Sequence, residues 1–189
     1  MRNPRSHVRQ IHELRFEKAT VDDIPKLTEN MTRVFNNDTR RFRGKPEEGS
    51  PPGYDDGSFL MKWGLTGNGQ YPLGSFYKIL IGAEKRGKPA GVFIVFVGEK
   101  VGKPGNNVLG TILVDPEWQN RGIGSKALQY IFTTFPAKRW KLGTTEWARR
   151  NHHFYEKNGF VKIREVWDPE LDKEKGGVYS YIYERVMRN

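Results

Sequence analysis

An apolar segment that leads through a glycine-rich turn into a helical pattern places the strongest constraint on how this chain can fold. Residues 108–114 are largely apolar, which predicts a buried strand, and Pro116 ends it because proline has no N–H for a sheet ladder. Residues 119–124 then read Q-N-R-G-I-G, and from Ile123 onward the apolar residues recur at the spacing of one helix face. The segment therefore predicts a core strand that a glycine-rich turn joins to the N-terminus of a helix.

A glycine-rich turn at a helix N-terminus is well suited to binding phosphate. The first turn of a helix has unpaired N–H groups and the positive end of the helix dipole, and Gly122 and Gly124 have no side chain that would block a ligand. Arg121 and Lys126 add positive charge nearby. The turn contains neither the dinucleotide-binding glycine pattern nor a Walker loop. From these residues alone, a turn whose glycines serve only packing is the alternative.

The same stretch resembles a known family. Residues 114–128 read V-D-P-E-W-Q-N-R-G-I-G-S-K-A-L, which resembles the pyrophosphate-binding motif of the GNAT superfamily of N-acetyltransferases, Q/R-x-x-G-x-G/A after a strand. Residues 154–160 read F-Y-E-K-N-G-F, which resembles the next segment of that superfamily, Y-E-x-x-G-F. The two matches occur in the family's order with a predicted strand between them. The strand and helix pattern fits the family from residue 11 to the end.

The order of predicted elements is strand, helix, long loop, three strands, helix, strand, helix and two strands, which favours an α/β protein with a mixed sheet. The resemblance implies the more specific GNAT fold, a mostly antiparallel mixed sheet of about seven strands flanked by about four helices. Residues 1–10 are expected to form a flexible basic tail, and residues 11–189 a single domain. Residues 36–70 lack apolar periodicity, and we expect them to form a loop-rich segment. The resemblance implies that this segment lies beside the acceptor substrate, the molecule that receives the acetyl group.

Composition and charge narrow the possible functions. The chain contains no cysteine, so it has no disulfide, thiolate metal site or cysteine nucleophile. No segment approaches the roughly 20 apolar residues of a membrane span, and we expect a cytoplasmic protein that makes no membrane contact. The net charge of +10 attracts polyanions. The basic clusters at 40–45, 138–141 and 149–150 accompany no recognised nucleic-acid motif, so no specific nucleic-acid partner is expected.

The resemblance implies that the cosubstrate is acetyl-CoA, that the acceptor is a primary amine which attacks directly, and that no metal is needed. Backbone N–H groups of the turn would hold the phosphates, and the end of the preceding strand would bind the pantetheine arm and supply an oxyanion donor near Leu113. Many family members carry an asparagine at the position of Ala148, whereas this chain has Asn151 further along, so that contact stays open. The residues expected to bind the cosubstrate are Leu113, Val114, Gln119, Asn120, Arg121, Gly122, Ile123, Gly124, Ser125 and Asn151.

Two residues are candidates for proton transfer. Tyr155 matches the family tyrosine that lies near the thioester sulfur, where a phenol can protonate the departing thiolate, and packing in a helical core is the alternative. The position of the family's catalytic glutamate is occupied by Gly143. Glu146 is therefore the candidate general base, with an exposed salt bridge as the alternative, and Asp115 and Glu117 are weaker candidates.

Further residues are candidates for acceptor contacts or for metal ligands. Adjacent His152 and His153 point about 100° apart on a helix and cannot bind one ion from one face, so no metal site is expected. The resemblance also implies a homodimer through the late strands. The alternatives to an enzyme are a non-catalytic acyl-CoA-binding module and a nucleic-acid-binding protein. The candidate acceptor contacts are Asp38, Tyr54, Asp55, Asp56 and Trp63, for which turn-forming roles in a solvated loop are the alternative.

Overall fold

The structure is a computed structural model that describes residues 13–42, 50–67, 73–82, 87–169 and 177–187. The structural statements below refer to these ranges. The basic tail expected at residues 1–10 lies outside them.

In the described ranges, seven strands form one central sheet. In chain order they are β1 (Leu14–Lys18), β2 (Ser75–Ile81), β3 (Lys88–Phe96), β4 (Asn106–Val114), β5 (Arg139–Thr145), β6 (Val161–Asp168) and β7 (Val178–Val186). Their order across the sheet is β1-β2-β3-β4-β5-β7-β6. Only β4 and β5 pair in parallel, and the other neighbours pair antiparallel. The prediction of a mixed, mostly antiparallel sheet is confirmed.

Four α-helices flank this sheet in the described part of the chain. One pair covers one face, where α3 and α4 pack on a core that includes Leu128, Trp140 and Tyr155. The other pair covers the opposite face, where Leu27 and Met31 pack on apolar residues of β2 and β3. The helices are α1 (Ile24–Phe42), α2 (Ser58–Leu60), which continues into the π-helical stretch Met61–Thr66, α3 (Ile123–Thr134) and α4 (Arg149–Lys157).

The end of α1 differs from the sequence prediction, in which the helical pattern stopped before residue 36. The helix continues to Phe42. Thr39 is fully buried and donates its hydroxyl to the carbonyl of Phe35 at 2.8 Å, and Asn36 accepts a hydrogen bond from the Tyr54 hydroxyl at 3.1 Å. Because this last part of α1 packs through polar contacts, apolar periodicity could not reveal it.

The sheet opens between β4 and β5. Their parallel pairing covers only Asn106 to Val108 on β4, so the remaining residues of β4 have no strand partner on that side. A β-bulge lies at the point of divergence, because Leu109 and Thr111 pair with consecutive residues of β3. Gly110 is the extra residue, and a Cβ at this position would lie 2.4 Å from the ring of Phe96. Beyond the short ladder the carboxyl-terminal parts of β4 and β5 are not paired with each other, and the gap between them is called the cleft below.

Candidate functional site

The glycine-rich turn lies at the edge of this cleft, where the chain leaves β4 and enters α3. Asn120 and Gly122 both have left-handed backbone conformations, with φ of 60° and 77°. Alternation of left-handed with other residues is typical of turns whose backbone N–H groups converge on an anion. A Cβ on Gly122 would meet no atom within 4 Å, so the space beside the helix N-terminus is open. The turn therefore fits a phosphate group.

The side chains of the turn have distinct positions. Ile123 is buried in the core and anchors the start of α3, while Ser125 lies partly buried in the first helical turn. The Arg121 guanidinium lies over the ring of Trp118, 4.9 Å from its centroid. The phosphate contacts expected from the sequence involve the backbone N–H groups of these residues.

Gly124 has a role that the sequence did not reveal. A Cβ at this position would lie 3.0 Å from the ring of Phe154, tighter than nearly all real contacts. The missing side chain therefore lets the first turn of α3 pack against α4. Gly122, and not Gly124, leaves open space for a ligand.

Gln119 joins the end of β4 to α4. Its Nε2 donates to the carbonyl oxygen of Val114 at 2.9 Å, and its Oε1 accepts from Nη2 of Arg150 at 2.8 Å. Val114 and Leu113 pair with β3 on one side only, since the ladder to β5 has already ended. On their opposite edge, which has no strand partner, the Val114 carbonyl accepts from Gln119.

Tyr155 lies on α4 and is buried, with 7% of its surface exposed. Its ring packs near the rings of Phe154, Phe160 and Tyr183, with centroid distances of 5.3, 5.9 and 6.0 Å. Burial raises the pKa of the phenol well above its usual value. Its hydroxyl has no hydrogen-bond partner among the residues that the structure describes. A buried phenol of this kind keeps its proton at neutral pH and can donate it.

Comparison with known families identifies this arrangement. Residues 77–162 match the family model of the acetyltransferase (GNAT) domain. The matched stretch contains the cleft, the glycine-rich turn and Tyr155. Over residues 77–162 the chain is therefore similar to a GNAT acetyltransferase domain.

Solved structures share the GNAT fold over nearly the whole chain. A GCN5-related N-acetyltransferase from Rhodopseudomonas palustris aligns with a TM-score of 0.66 at 12% identity, covering 94% of this chain and 98% of the other. The ribosomal-protein-S18-alanine N-acetyltransferase from Escherichia coli aligns with a TM-score of 0.62 at 15% identity, covering 94% and 97%. The PaiA N-acetyltransferase from Thermoplasma acidophilum, in complex with coenzyme A, gives 0.59 at 13%, covering 93% and 99%. No match was found among curated protein sequences.

Gly143, which has no side chain, occupies the position where GNAT enzymes often carry a glutamate. Gly143 lies exposed on β5, and a Cβ there would lie 3.5 Å from Ile182, an ordinary contact distance. The nearby acid Glu146 follows β5 and is partly exposed, and its carboxylate forms no ion pair with any described residue. The role of Glu146 as general base stays a prediction.

His152 holds the backbone at Glu146. Its Nε2 lies 3.0 Å from the Glu146 carbonyl oxygen, and because a carbonyl only accepts, this nitrogen must carry a proton. Its Nδ1 lies 3.0 Å from the Tyr183 hydroxyl. Asn151 donates from Nδ2 to Oγ1 of Thr144 at 3.3 Å, which links α4 to the end of β5. In the described ranges, no three His, Cys, Asp or Glu side chains form a group that could hold a metal ion.

The candidate acceptor contacts do not form one cluster. Asp56 accepts from the backbone N–H of Ser58, the first residue of α2, at 2.8 Å. Trp63 packs edge-on against Phe96, at a centroid distance of 6.1 Å, and Asp55 is exposed. The Tyr54 hydroxyl is engaged on α1, as described above.

Asp38 forms an ion pair with Arg150, with 3.4 Å between Oδ1 and Nη1. Burial raises the pKa of Asp38, and the charge of Arg150 opposes that rise. In the sequence Arg150 belongs only to a basic cluster. Its contact with Asp38 could not be predicted, because the two residues are 112 positions apart and share no motif.

No helix in the described part of the chain is long and apolar enough to cross a membrane.

Proposed function

We propose that this protein transfers the acetyl group of acetyl-CoA to a primary amine that attacks directly. The observation that carries the proposal is the open space beside Gly122, which lies at the end of the unpaired edge of β4. Backbone N–H groups of residues 119–125 bind the phosphates, and Leu113 and Val114 bind the pantetheine amides. Acetyl-CoA supplies the activated acetyl thioester when it is bound. Asn151, on the first turn of α4, is a further contact to the pantetheine arm.

Residues of the chain stabilise the negative charge that develops during acetyl transfer and transfer the protons. A backbone N–H near Leu113 stabilises the negative charge that develops on the acetyl oxygen. Tyr155 holds its proton because burial raises its pKa, and it donates that proton to the leaving sulfur. Glu146 accepts a proton from the amine, directly or through water. No metal takes part in this scheme.

The class of acceptor amine is left open among small amines, antibiotic amines and protein amines. The E. coli neighbour acts, by its name, on the alanine of a ribosomal protein. In this chain, Asp55 and Asp56 would favour a cationic acceptor, whereas the net charge of +10 favours an anionic one. We place the protein in the cytoplasm.

A non-catalytic acyl-CoA-binding module is the alternative function. The observation that favours it is Gly143, since the fold has room for a side chain where GNAT enzymes often carry a glutamate. Such a module would bind CoA as well as the enzyme does and would acetylate no amine. A nucleic-acid-binding role has only the basic surface in its favour, and loss of nucleic-acid affinity at moderate salt would argue against it.

A thermal-shift titration with acetyl-CoA, CoA and tripolyphosphate tests the cosubstrate site. Ligand that binds the native state at about 100 times its dissociation constant stabilises it by about 2.7 kcal/mol. We expect acetyl-CoA and CoA to raise the melting temperature far more than tripolyphosphate at equal concentration. A screen of amines for CoA release then separates enzyme from binding module. Equal shifts with all three ligands would contradict the proposal.

We also propose a homodimer through the late strands. The edge strand β6 is exposed along nearly its whole length, and Val161 and Trp167 expose 66% and 48% of their surfaces. An exposed apolar edge strand is a site for pairing with another chain. Sedimentation velocity is expected to show a species of twice the 21.9 kDa chain mass, and a monomer at all concentrations would contradict the dimer.

A further inference from the structure

Arg150 contacts two distant parts of the chain at once. Its Nη2 donates to Oε1 of Gln119 in the glycine-rich turn at 2.8 Å, and its Nη1 lies 3.4 Å from Oδ1 of Asp38 on α1. The two contacts use different nitrogens, so one planar guanidinium makes both. Both side chains are largely shielded, with 31% of Arg150 and 18% of Asp38 exposed.

These contacts connect helices that lie on opposite faces of the sheet. Asp38 belongs to α1, which packs on one face, whereas Arg150 belongs to α4, which packs on the other. Gln119 continues the connection, because its Nε2 donates to the Val114 carbonyl at the end of β4. Gln119 is thus held at both ends of its amide, and the orientation of its side chain depends on Arg150.

The loop that precedes the turn is also fixed to α1. Nε of Arg33 lies 2.9 Å from Oδ2 of Asp115, which is buried and directly follows β4. Oδ1 of Asp115 accepts from the backbone N–H of Glu117 at 3.0 Å. The segment between β4 and Gly122 is therefore attached to α1 twice, directly at Asp115 and through Arg150 at Gln119.

We propose that Arg150 is a positioning residue that, together with Asp38, holds Gln119 and so links α1 to the turn that binds the CoA phosphates. This inference rests on the proposed function. It makes Asp38 part of the cosubstrate side of the site, although the sequence suggested an acceptor contact. The same helix that flanks the acceptor region then determines how well the phosphate turn is formed.

The sign of the effect of Asp38→Asn on CoA affinity distinguishes this inference from simple electrostatics. Removing an acid near a polyanion strengthens binding if only long-range charge matters. If Asp38 positions Arg150, its removal weakens binding. We expect the dissociation constant of CoA, measured by calorimetry, to rise about 3- to 10-fold in Asp38→Asn. Asp22→Asn, which removes an exposed acid to which no site role is assigned, is the matched control and is expected to bind CoA as the wild type does.

Arg150→Met is expected to weaken CoA binding by at least as much, whereas Arg149→Met removes the same charge from the exposed neighbouring residue and is expected to have little effect. The double variant Asp38→Asn/Arg150→Met is expected to bind CoA no more weakly than Arg150→Met alone, because the two residues act through one contact. If Arg150→Met does not fold, Arg150→Lys, which keeps the charge and loses the two-pronged geometry, carries the same test.

Binding of pantetheine, which lacks phosphates, distinguishes a change in the phosphate turn from a general loss of structure. The dissociation constant of pantetheine is expected to stay unchanged in Asp38→Asn while that of CoA rises, and a general loss of structure would weaken both. Equal or tighter CoA binding by Asp38→Asn, or equal losses in Arg149→Met and Arg150→Met, would overturn the inference and leave the proposed function standing. A wild-type protein that does not bind CoA would overturn the proposed function, and this inference with it.

Discussion

Replacing Tyr155 by phenylalanine is expected to lower kcat about 10²- to 10⁴-fold, the usual contribution of a general acid. The affinity for CoA and the stability are expected to change little. The phenylalanine ring can keep the packing against Phe154, Phe160 and Tyr183, and no hydrogen bond to a described residue is lost. The measurements are kcat with an acceptor found by the amine screen, the dissociation constant of CoA and the melting temperature.

The matched control is Tyr130→Phe, which removes a hydroxyl from α3, where the ring stacks on Phe16 of β1 at 4.4 Å, far from the cleft across the sheet. It is expected to leave kcat unchanged. An unchanged kcat in Tyr155→Phe would remove Tyr155 as the acid. Loss of CoA affinity alone would make Tyr155 a binding residue.

The pH dependence follows from the direction of the Tyr155 pKa. The protonated phenol is the active form, and burial raises its pKa above the ordinary value of about 10. Deprotonation of Tyr155 therefore limits the rate only above that pH. If kcat falls between neutral pH and pH 10, a group other than Tyr155 causes the fall. The residual activity of Tyr155→Phe is then expected to show the same fall.

The second large effect is expected from Gly122→Val. The valine side chain would project into the open space beside the helix N-terminus, where we place the phosphates, and we expect the CoA dissociation constant to rise about 100-fold or more. A left-handed residue with a side chain also costs about 1–2 kcal/mol of stability. Titration calorimetry and thermal unfolding measure the two effects separately.

Gly102→Val is the control for backbone strain. Gly102 has φ of 68°, close to the 77° of Gly122, and a Cβ there also meets no atom within 4 Å. It follows the short turn after β3, away from the glycine-rich turn. Gly102→Val is expected to lose similar stability and keep CoA affinity. Equal affinity losses in the two variants would mean that the space beside Gly122 is not the phosphate site.

The sequence predicted the elements whose signals are local. The predicted order ends with a helix and two strands, and the structure has α4, β6 and β7 in that order. Apolar periodicity and the turn residues Asn158-Gly159 after α4 report directly on local structure. The glycine-rich turn was located for the same reason, since its glycines and flanking elements are contiguous in the chain.

Contacts between distant residues could not be predicted. The role of Gly124 depends on how closely Phe154 of α4 approaches α3, which no local pattern encodes. The ion pair of Asp38 with Arg150 depends on two helices meeting across the end of the sheet. The last part of α1 was missed because polar contacts replace the apolar stripe there. Long-range packing, and not propensity, determines these features.

The short parallel ladder between β4 and β5 also divides the sheet into two antiparallel parts, one with β1 to β4 and one with β5, β7 and β6. The parallel ladder joins three residue pairs, whereas each ladder within a part joins at least five. Because fewer backbone hydrogen bonds join the two parts, we expect the boundary between them to open at a lower free energy than either part does. The proposed ligand site lies at that boundary, so bound ligand is expected to slow the opening.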